Sequence, residues 1–487
     1  MHETYDFIVI GGGSAGLVAA GGAGLLGAKV ALIEKHRLGG DCLYTGCVPS
    51  KALIRSARFA ADVKRAETFG FESAKLKFRG DSFASITNRV QRVIKTIEPH
   101  DSPERFEKMG VEVVFGTPRF LSPHELEVSL VNSDHTRVLK AKRFCLATGS
   151  NPAVPAIEGL REAGFLTNET VFNLQTLPEK MVVIGAGAIG AELGQSFARF
   201  GSKVTILETA DRILAREDAE VSGFMQKILG AEGIEILTQA KAVRVRTENG
   251  TKFVTVEQGA GKTSEIEADE ILIATGREPS VNGLELEKAN VKFNKQRVET
   301  DRFLRTSARH IFAAGDITGH YQFTHMADYE AQIALQNAFL FRGLRKKTDF
   351  RVAPWATFTS PEVGRVGLTE EEAREKFNHQ IKVYKVAFDE NDRAQTEDDA
   401  IGFAKIVCKN SGEIIGAHIV GPGAGEIMHE FVWAMHNRLK ITQLNDIIRV
   451  YPTLAKITQA VATEATLENL RSPFVQKWFA RYLKIWR

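Results

Sequence analysis

YDFIVIGGGSAG (residues 5–16) and EKMVVIGAGAIG (residues 179–190) are two copies of one device, and together they decide the fold. Each is a short apolar run that ends in G-x-G-x-x-G. The glycines are Gly11, Gly13 and Gly16 in the first copy and Gly185, Gly187 and Gly190 in the second. Downstream, GAKVALIE (27–34) and GSKVTILE (201–208) also repeat, and both end in glutamate. Every matched position lies 174 residues after its counterpart. One such motif is weak information, but two with the same strand, helix and acid spacing specify a dinucleotide crevice. The first glycine makes the tight turn, the second lets a pyrophosphate approach the backbone, and the third lets helix pack on strand. The helix N-terminus then offers unpaired N–H groups to the phosphates. Glu34 and Glu208 are placed to accept hydrogen bonds from a ribose diol.

FCLATG (144–149) and ILIATG (271–276) read as buried strands that each close a nucleotide unit, which adds Thr148, Gly149 and Gly276 to the candidate binding residues. IFAAGDIT (311–318) is a third apolar strand, and Asp316 at its end is placed to hold a polyol hydroxyl. The uncharged run from Phe7 to Ala28 is long enough to cross a bilayer. Its eight glycines fit a strand, a turn and a helix better than a membrane span. After about residue 345 the texture changes to alternating strands such as IKVYKVAFDE (381–390) and FAKIVCKN (403–410), followed by a helix in EIMHEFVWAMHNRL (426–439). The expected fold is α/β, with two Rossmann-like dinucleotide-binding domains and a C-terminal α+β domain.

Composition bounds the rest. A chain of 487 residues is too long for one core and suggests about three domains. A net charge of +3 gives no reason to expect a nucleic-acid partner. Four cysteines cannot build a secreted disulfide framework at this size. MHETYDFIVIG lacks the basic start and cleavage site of a secretory signal. The expected compartment is therefore the reducing cytoplasm, where a disulfide is catalytic more often than structural.

GGDCLYTGCVPSK (39–51) places Cys42 and Cys47 five residues apart. A redox pair, a metal site and two inert thiols are the alternatives. Residues 39–51 hold no further Cys or His to complete a zinc site, so no metal site is expected. On a regular helix that separation is about 8–9 Å between Cα atoms. A disulfide spans roughly 4.4–6.8 Å. If the two bond, the helix must break between them; Gly46 permits this and Pro49 limits regularity on the far side. Cys145 and Cys408 lie in apolar strands and read as buried structural thiols.

These features resemble the flavoprotein disulfide reductases of the class I pyridine nucleotide-disulfide oxidoreductase family, with a texture similar to mercuric reductase and dihydrolipoamide dehydrogenase. The likeness spans roughly residues 4 to 470. It is carried by the cysteine segment, the paired glycine motifs, AAGDIT and FTSPEVGRVGLTE (358–370). It implies FAD and a nicotinamide as cofactors. It also implies an FAD-binding domain at 1–150 and 276–348, an NAD(P)-binding domain at 151–275, and a homodimer interface at 349–470. By the resemblance, Cys47 is the thiol next to the flavin and Cys42 the interchange thiol that meets the acceptor. Lys51 pairs with Glu192 near the flavin, and Asp316 binds its ribityl chain. His325, in FTHMADYEAQ (323–332), either approaches the flavin or packs at a helix start. His429 and His436 are expected in interface or surface roles. Glu208 would repel a 2′-phosphate, which favours NAD(H); Arg212, four residues on, keeps NADP(H) open.

Two departures bear on the acceptor. Disulfide-reducing members carry His-Pro-Thr-x-x-Glu in the last domain, whereas VYPTLAKI (450–457) has Tyr451 at the histidine position and Lys456 at the glutamate position. A phenol titrates near 10 rather than 6.5, roughly, and is a poor proton shuttle at neutral pH. Mercuric reductases pass Hg(II) inward from a C-terminal cysteine pair, but no cysteine follows Cys408. The expected enzyme sends electrons from NAD(P)H through FAD and Cys47–Cys42 to an external acceptor: a small-molecule or protein disulfide, a soft metal ion of the Hg(II) type, or another oxidant. Two rivals stand beside it: a membrane-surface NADH:quinone oxidoreductase with incidental thiols, and a redox-sensing electron-transfer partner with little turnover. The tail SPFVQKWFARYLKIWR (472–487) puts aromatic and aliphatic residues on one helical face and basic residues on another. It reads either as a membrane-surface helix, making peripheral contact through 473–487, or as packing on the dimer or a partner.

Overall fold

The first apolar run forms the strand Phe7–Ile10, with all four side chains buried. Chain alternation splits its environment. Phe7 and Val9 join a core with Val30, Leu32 and Cys145 on one face, and Ile8 and Ile10 join Ala31, Ile33 and Phe144 on the other. Both faces are apolar because both are covered, as a parallel sheet requires. In this computed structural model, which describes residues 4–72, 77–79, 82–259 and 261–486, the strand sits inside an eight-stranded sheet. It pairs in parallel with Val30–Glu34 on one side and Phe144–Leu146 on the other, and Ile311–Ala313 closes that edge. The opposite side continues through Val111–Ser122 into the antiparallel strands Glu125–Leu130 and Thr136–Ala141.

The second copy builds a four-stranded parallel sheet in the order Glu235–Leu237, Lys203–Leu207, Lys180–Ile184, Glu270–Ile273. The repeat survives down to strand register. Phe7 faces Val30 in the first sheet and Met181 faces Val204 in the second. Ile8 faces Phe144, and Val182 faces Ile271. A three-stranded antiparallel meander, Ala240–Glu248, Thr251–Gln258 and Lys262–Ala268, follows. A short antiparallel ribbon pairs Ser150–Pro152 with Arg277–Pro279, where the chain leaves the first nucleotide unit and returns to it.

The chain divides into two compact units, Met1–Thr209 with Gly233–Thr348, and Ala210–Glu232 with Asp349–Arg487. The second unit holds a five-stranded antiparallel sheet: Pro354–Thr357, Glu362–Gly367, Ile414–Gly421, Phe403–Lys409, Ile381–Ala387. Its core joins Ile406, Cys408, Ala417 and Ile419 to Phe431 and Met435 of the helix Ala424–His436 and to Val461 of Lys456–Leu470. The segment 210–232 belongs here through polar contacts: Trp355 Nε1 donates to Glu217 at 2.6 Å and Lys405 Nζ to Asp218 at 2.9 Å. Cys145 and Cys408 are fully buried, and burial pushes both thiols up to about 12, which keeps them inert.

Candidate active site

The two glycine turns are built alike, bond for bond. Gly11 N–H donates to Ile33 at 2.8 Å, and Gly185 N–H to Leu207 at 2.8 Å. Gly11 and Gly185 have φ of +105° and +106°, which disfavours any residue with a Cβ. A Cβ on Gly16 would fall 1.7 Å from the Gly11 carbonyl oxygen; on Gly190 it would fall 1.9 Å from that of Gly185. Helices Ser14–Leu25 and Ala188–Phe200 start directly after, and no side chain caps either one. A Cβ on Gly187 would meet nothing within 4 Å, and one on Gly13 only the Cα of Gly40 at 3.9 Å, so the backbone lies open where a pyrophosphate would approach. Glu34 accepts from Gly12 N–H at 2.7 Å, and Glu208 from Ala186 N–H at 2.8 Å. Each acid is thereby held at the turn, the position from which such a carboxylate meets a ribose diol. These cradles fit a dinucleotide in both places. Arg212 engages Glu371 at 3.2 Å.

Cys42 lies in the short helix Gly40–Tyr44, and Cys47 opens the long helix Cys47–Lys64. Thr45 and Gly46 form the break between them, and Gly46 has non-helical φ −121° and ψ −114°. A Cβ on Gly46 would stand 2.9 Å from the Asp41 carbonyl oxygen, so the chain can fold back tightly only with glycine there. Pro49 falls in the first turn of the long helix, where its missing N–H costs nothing. The break brings the two sulfurs into a hydrogen bond, as free thiols.

That contact separates the thiols electrically. Accepting from Cys42 pulls Cys47 down to about 6; Thr324 and the Lys51 ammonium act in the same sense, against burial and the Glu192 charge. Cys42 moves up, because it donates to Cys47 and is desolvated, and only weaker contacts to Thr324 and Ser14 oppose this. In the dithiol form the contact therefore favours the thiolate at Cys47 and the proton at Cys42. Thr324 Oγ1 stands 3.2 Å from Cys47 Sγ. Lys51 Nζ donates to Glu192 at 2.9 Å, and Glu192 is only 6% exposed, so the ammonium is fixed near the sulfurs rather than free to swing.

A second cluster lies beside the break. Arg277, 10% exposed, reaches Asp41 at 3.2 Å and Asp316 at 3.4 Å, and its Nε donates to Ser150 at 2.7 Å. Ser150 donates to Asp316 at 2.5 Å. Burial pushes the Asp316 carboxyl up and Asp41 adds to that, while Ser150 and Arg277 hold it down. Asn168, buried, donates to both the Asp41 carboxylate (3.0 Å) and the Thr45 carbonyl (3.1 Å), and the Thr45 hydroxyl also donates to Asp41. Asp41, the residue before Cys42, is thus tied to the strand end that bears Asp316. Replacing Arg277 with Met leaves two carboxylates short of a partner. The expected result is a loss of about 2–3 kcal/mol in a denaturant melt, partly recovered by Arg277→Lys.

Of the other candidates, Thr148 donates to the Ser280 carbonyl at 2.7 Å, and Gly149 and Gly276 take φ of +68° and +113° at their strand ends. His325 is exposed and stacks on Phe323 at 5.5 Å, one residue after Thr324. Tyr451 is exposed and donates to Asp392 at 2.8 Å, which pushes its phenol up; Lys456 donates to Gln459 at 2.5 Å. Thr324, Asp41, Asn168, Ser150 and Arg277 escaped the motif reading. Only the last two carried a hint, because each directly follows a strand that ends in Ala-Thr-Gly.

With this geometry in view, comparison with known proteins is direct. Residues 5–331 match the family model for pyridine nucleotide-disulphide oxidoreductases, and residues 353–462 match that family's dimerisation domain. A mercuric reductase from Staphylococcus aureus is 34% identical over 455 residues, spanning 93% of this chain and 81% of its own. A dihydrolipoyl dehydrogenase from Bacillus subtilis is 31% identical, spanning 96% of this chain and 98% of its own. Among solved structures, the Cu(II) complex of the HOCl-induced flavoprotein disulfide reductase RclA from Escherichia coli superposes with a TM-score of 0.83. It is 28% identical, covering 95% of this chain and 99% of that one.

Proposed function

Since this chain belongs to the pyridine nucleotide-disulphide oxidoreductase family, we propose that it is an NADH-dependent reductase whose terminal acceptor is a soft metal ion bound at Cys42 and Cys47. The family assignment itself makes it an FAD enzyme that draws electrons from NAD(P)H and carries a redox-active disulfide. The matched dimerisation domain supports a homodimer. In our reading, residues 1–150 and 276–348 hold FAD, 151–275 hold the nicotinamide, and 349–470 form the dimer contact. Gly11, Gly13, Gly16, Glu34, Thr148, Gly149, Asp316 and His325 serve the flavin. Gly185, Gly187, Gly190, Glu208 and Gly276 serve NADH. Glu208 favours NADH over NADPH, and the engagement of Arg212 with Glu371 supports this.

FAD, when bound, would supply the two-electron relay between the nicotinamide and the disulfide. The chain's own residues do the rest. Lys51, fixed by Glu192, stabilises the Cys47 thiolate. Cys42 keeps its proton until an electrophile arrives, then yields it as the sulfur bonds to the metal. With Cu(II) the balance is two Cu(II) and one dithiolate giving two Cu(I) and one disulfide. Restoring the dithiol consumes one NADH, which leaves as NAD⁺, and the overall reaction releases one proton. The observation that carries this acceptor is the residue pair at 451 and 456. Tyr451, already bonded to Asp392, is no acid–base substitute for an imidazole, and disulfide interchange needs one. Two close thiols need none to bind a soft cation. The copper complex of the RclA neighbour is consistent with that choice. The test is NADH oxidation with Cu(II), Hg(II), lipoamide, glutathione disulfide and a quinone offered in turn. Turnover led by the metals supports the reading, and turnover led by a disulfide overturns it.

Independently of the acceptor, we infer that residues 473–487 make peripheral contact with a membrane surface. Among the described residues no helix is long and apolar enough to cross a membrane.

A further inference from the structure

The last helix, Pro473–Trp486, is the one long element of the described residues that buries none of its own side chains. Phe474 is 80% exposed and Trp486 76%. At 100° per residue, Phe474, Trp478, Tyr482, Ile485 and Trp486 share one half of the helix, and Lys477, Arg481 and Lys484 fall on the other. The rings form a ladder along the apolar half: Trp478 stacks on Tyr482 at 5.6 Å, Phe479 lies 6.1 Å from Tyr482, and Trp486 lies 6.2 Å beyond it.

Charge segregates with the helix. From Arg471 to Arg487 there are five Lys and Arg and no acid, so the rest of a chain of net charge +3 is net −2. The cations are therefore a property of this segment rather than of a basic protein. Fourteen residues of helix reach about 21 Å, short of the roughly 30 Å of hydrocarbon a span must cross. An apolar half of that length, rich in Trp and Tyr and edged by Lys and Arg, suits the headgroup boundary and lies along it.

We propose that Pro473–Trp486 is an in-plane anchor that docks the protein on an anionic lipid surface. The inference rests on the membrane-facing reading of the tail and adds the chemistry of the surface. The apolar half enters the acyl boundary while Lys477, Arg481 and Lys484 meet anionic headgroups. A second copy of the helix is a poor occupant, because two such segments repel.

The test is flotation of the full-length, FAD-loaded enzyme with phosphatidylcholine vesicles, with and without phosphatidylglycerol. The variants are a chain ending at Ser472, and Lys477→Gln/Arg481→Gln/Lys484→Gln. The wild type should float with the phosphatidylglycerol vesicles at least tenfold better than with phosphatidylcholine alone. The triple variant should lose that preference, and the truncated chain should not float. Both variants should keep wild-type NADH oxidation in solution, which shows that they fold. Equal flotation on both vesicles overturns the anionic surface and leaves the membrane reading standing. No flotation on either, or undiminished flotation after truncation, overturns both. Loss of the dimer on truncation, without any lipid binding, assigns the helix to the subunit contact instead.

Discussion

Cys42→Ser enzyme should still accept electrons from NADH and yet reduce Cu(II) or Hg(II) slower than wild type by roughly 10³-fold or more, because the remaining steps cannot replace a lost member of the relay. The expectation follows from the asymmetry of the pair. Cys47 is held as thiolate by Cys42, Thr324 and Lys51, and its sulfur sits beside Thr324 at the start of the helix Thr324–Phe339. Cys42 lies on the other side of the break, in the short helix Gly40–Tyr44, and keeps its proton. Serine at 42 removes the second soft ligand and the second electron carrier, but leaves both nucleotide cradles untouched. Stopped-flow reduction by NADH, compared with steady-state metal reduction, separates the two halves. Full metal or quinone turnover in Cys42→Ser would make the thiols incidental and favour the quinone rival. Negligible NADH oxidation by wild type with every acceptor would favour the electron-transfer partner.

Disulfide acceptors should be turned over poorly by wild type, below the metals by roughly 10²–10⁴-fold, the usual contribution of a positioned acid–base group. Interchange with lipoamide or glutathione disulfide must protonate a departing thiolate. Tyr451 cannot take that role near neutrality, since its bond to Asp392 raises a phenol that already titrates too high. Lys456 offers a cation where an imidazole would need a carboxylate to orient it. Tyr451→His combined with Lys456→Glu should therefore raise lipoamide reduction tenfold or more while leaving metal reduction within about twofold, for the same reason. Efficient lipoamide reduction by wild type, or loss of metal reduction in the double variant, would contradict this division.

Much of the architecture was open to reading because glycine and register leave little choice. A Cβ at Gly16 or Gly190 collides with a backbone oxygen, so the motif spells out its own turn. Parallel strands buried on both faces appear as unbroken apolar runs. The helix break at Gly46 was legible on the condition that the two cysteines bond, since five helical residues set their Cα atoms too far apart for a disulfide. The polar web around that break was not legible. Asp41, Asn168 and Arg277 meet across more than a hundred residues of chain, and a lone charge or amide in a sequence does not name its partner. Thr324 shows the limit on the smallest scale. It and His325 are neighbours at a helix start, and 100° of rotation sends Thr324 to Cys47 while His325 stacks on Phe323. The grouping of 210–232 with the C-terminal sheet likewise depends on Glu217 and Asp218 finding Trp355 and Lys405, contacts with no local signature.

The most direct measurement is an anaerobic titration of the FAD-loaded enzyme with NADH, followed at long wavelength across pH in wild type, Cys47→Ser and Cys42→Ser. A thiolate against the flavin should give a broad band in wild type and in Cys42→Ser, and none in Cys47→Ser. In wild type, thiolate is the form favoured at higher pH, so the band should be full near neutrality and fade as pH falls through about 6. In a Cys42→Ala enzyme, which has no hydrogen-bond donor at 42, the band should fade at a higher pH. A band that survives Cys47→Ser, or spectra that all three proteins share at every pH, would contradict the assignment of Cys47 as the thiolate that meets the flavin.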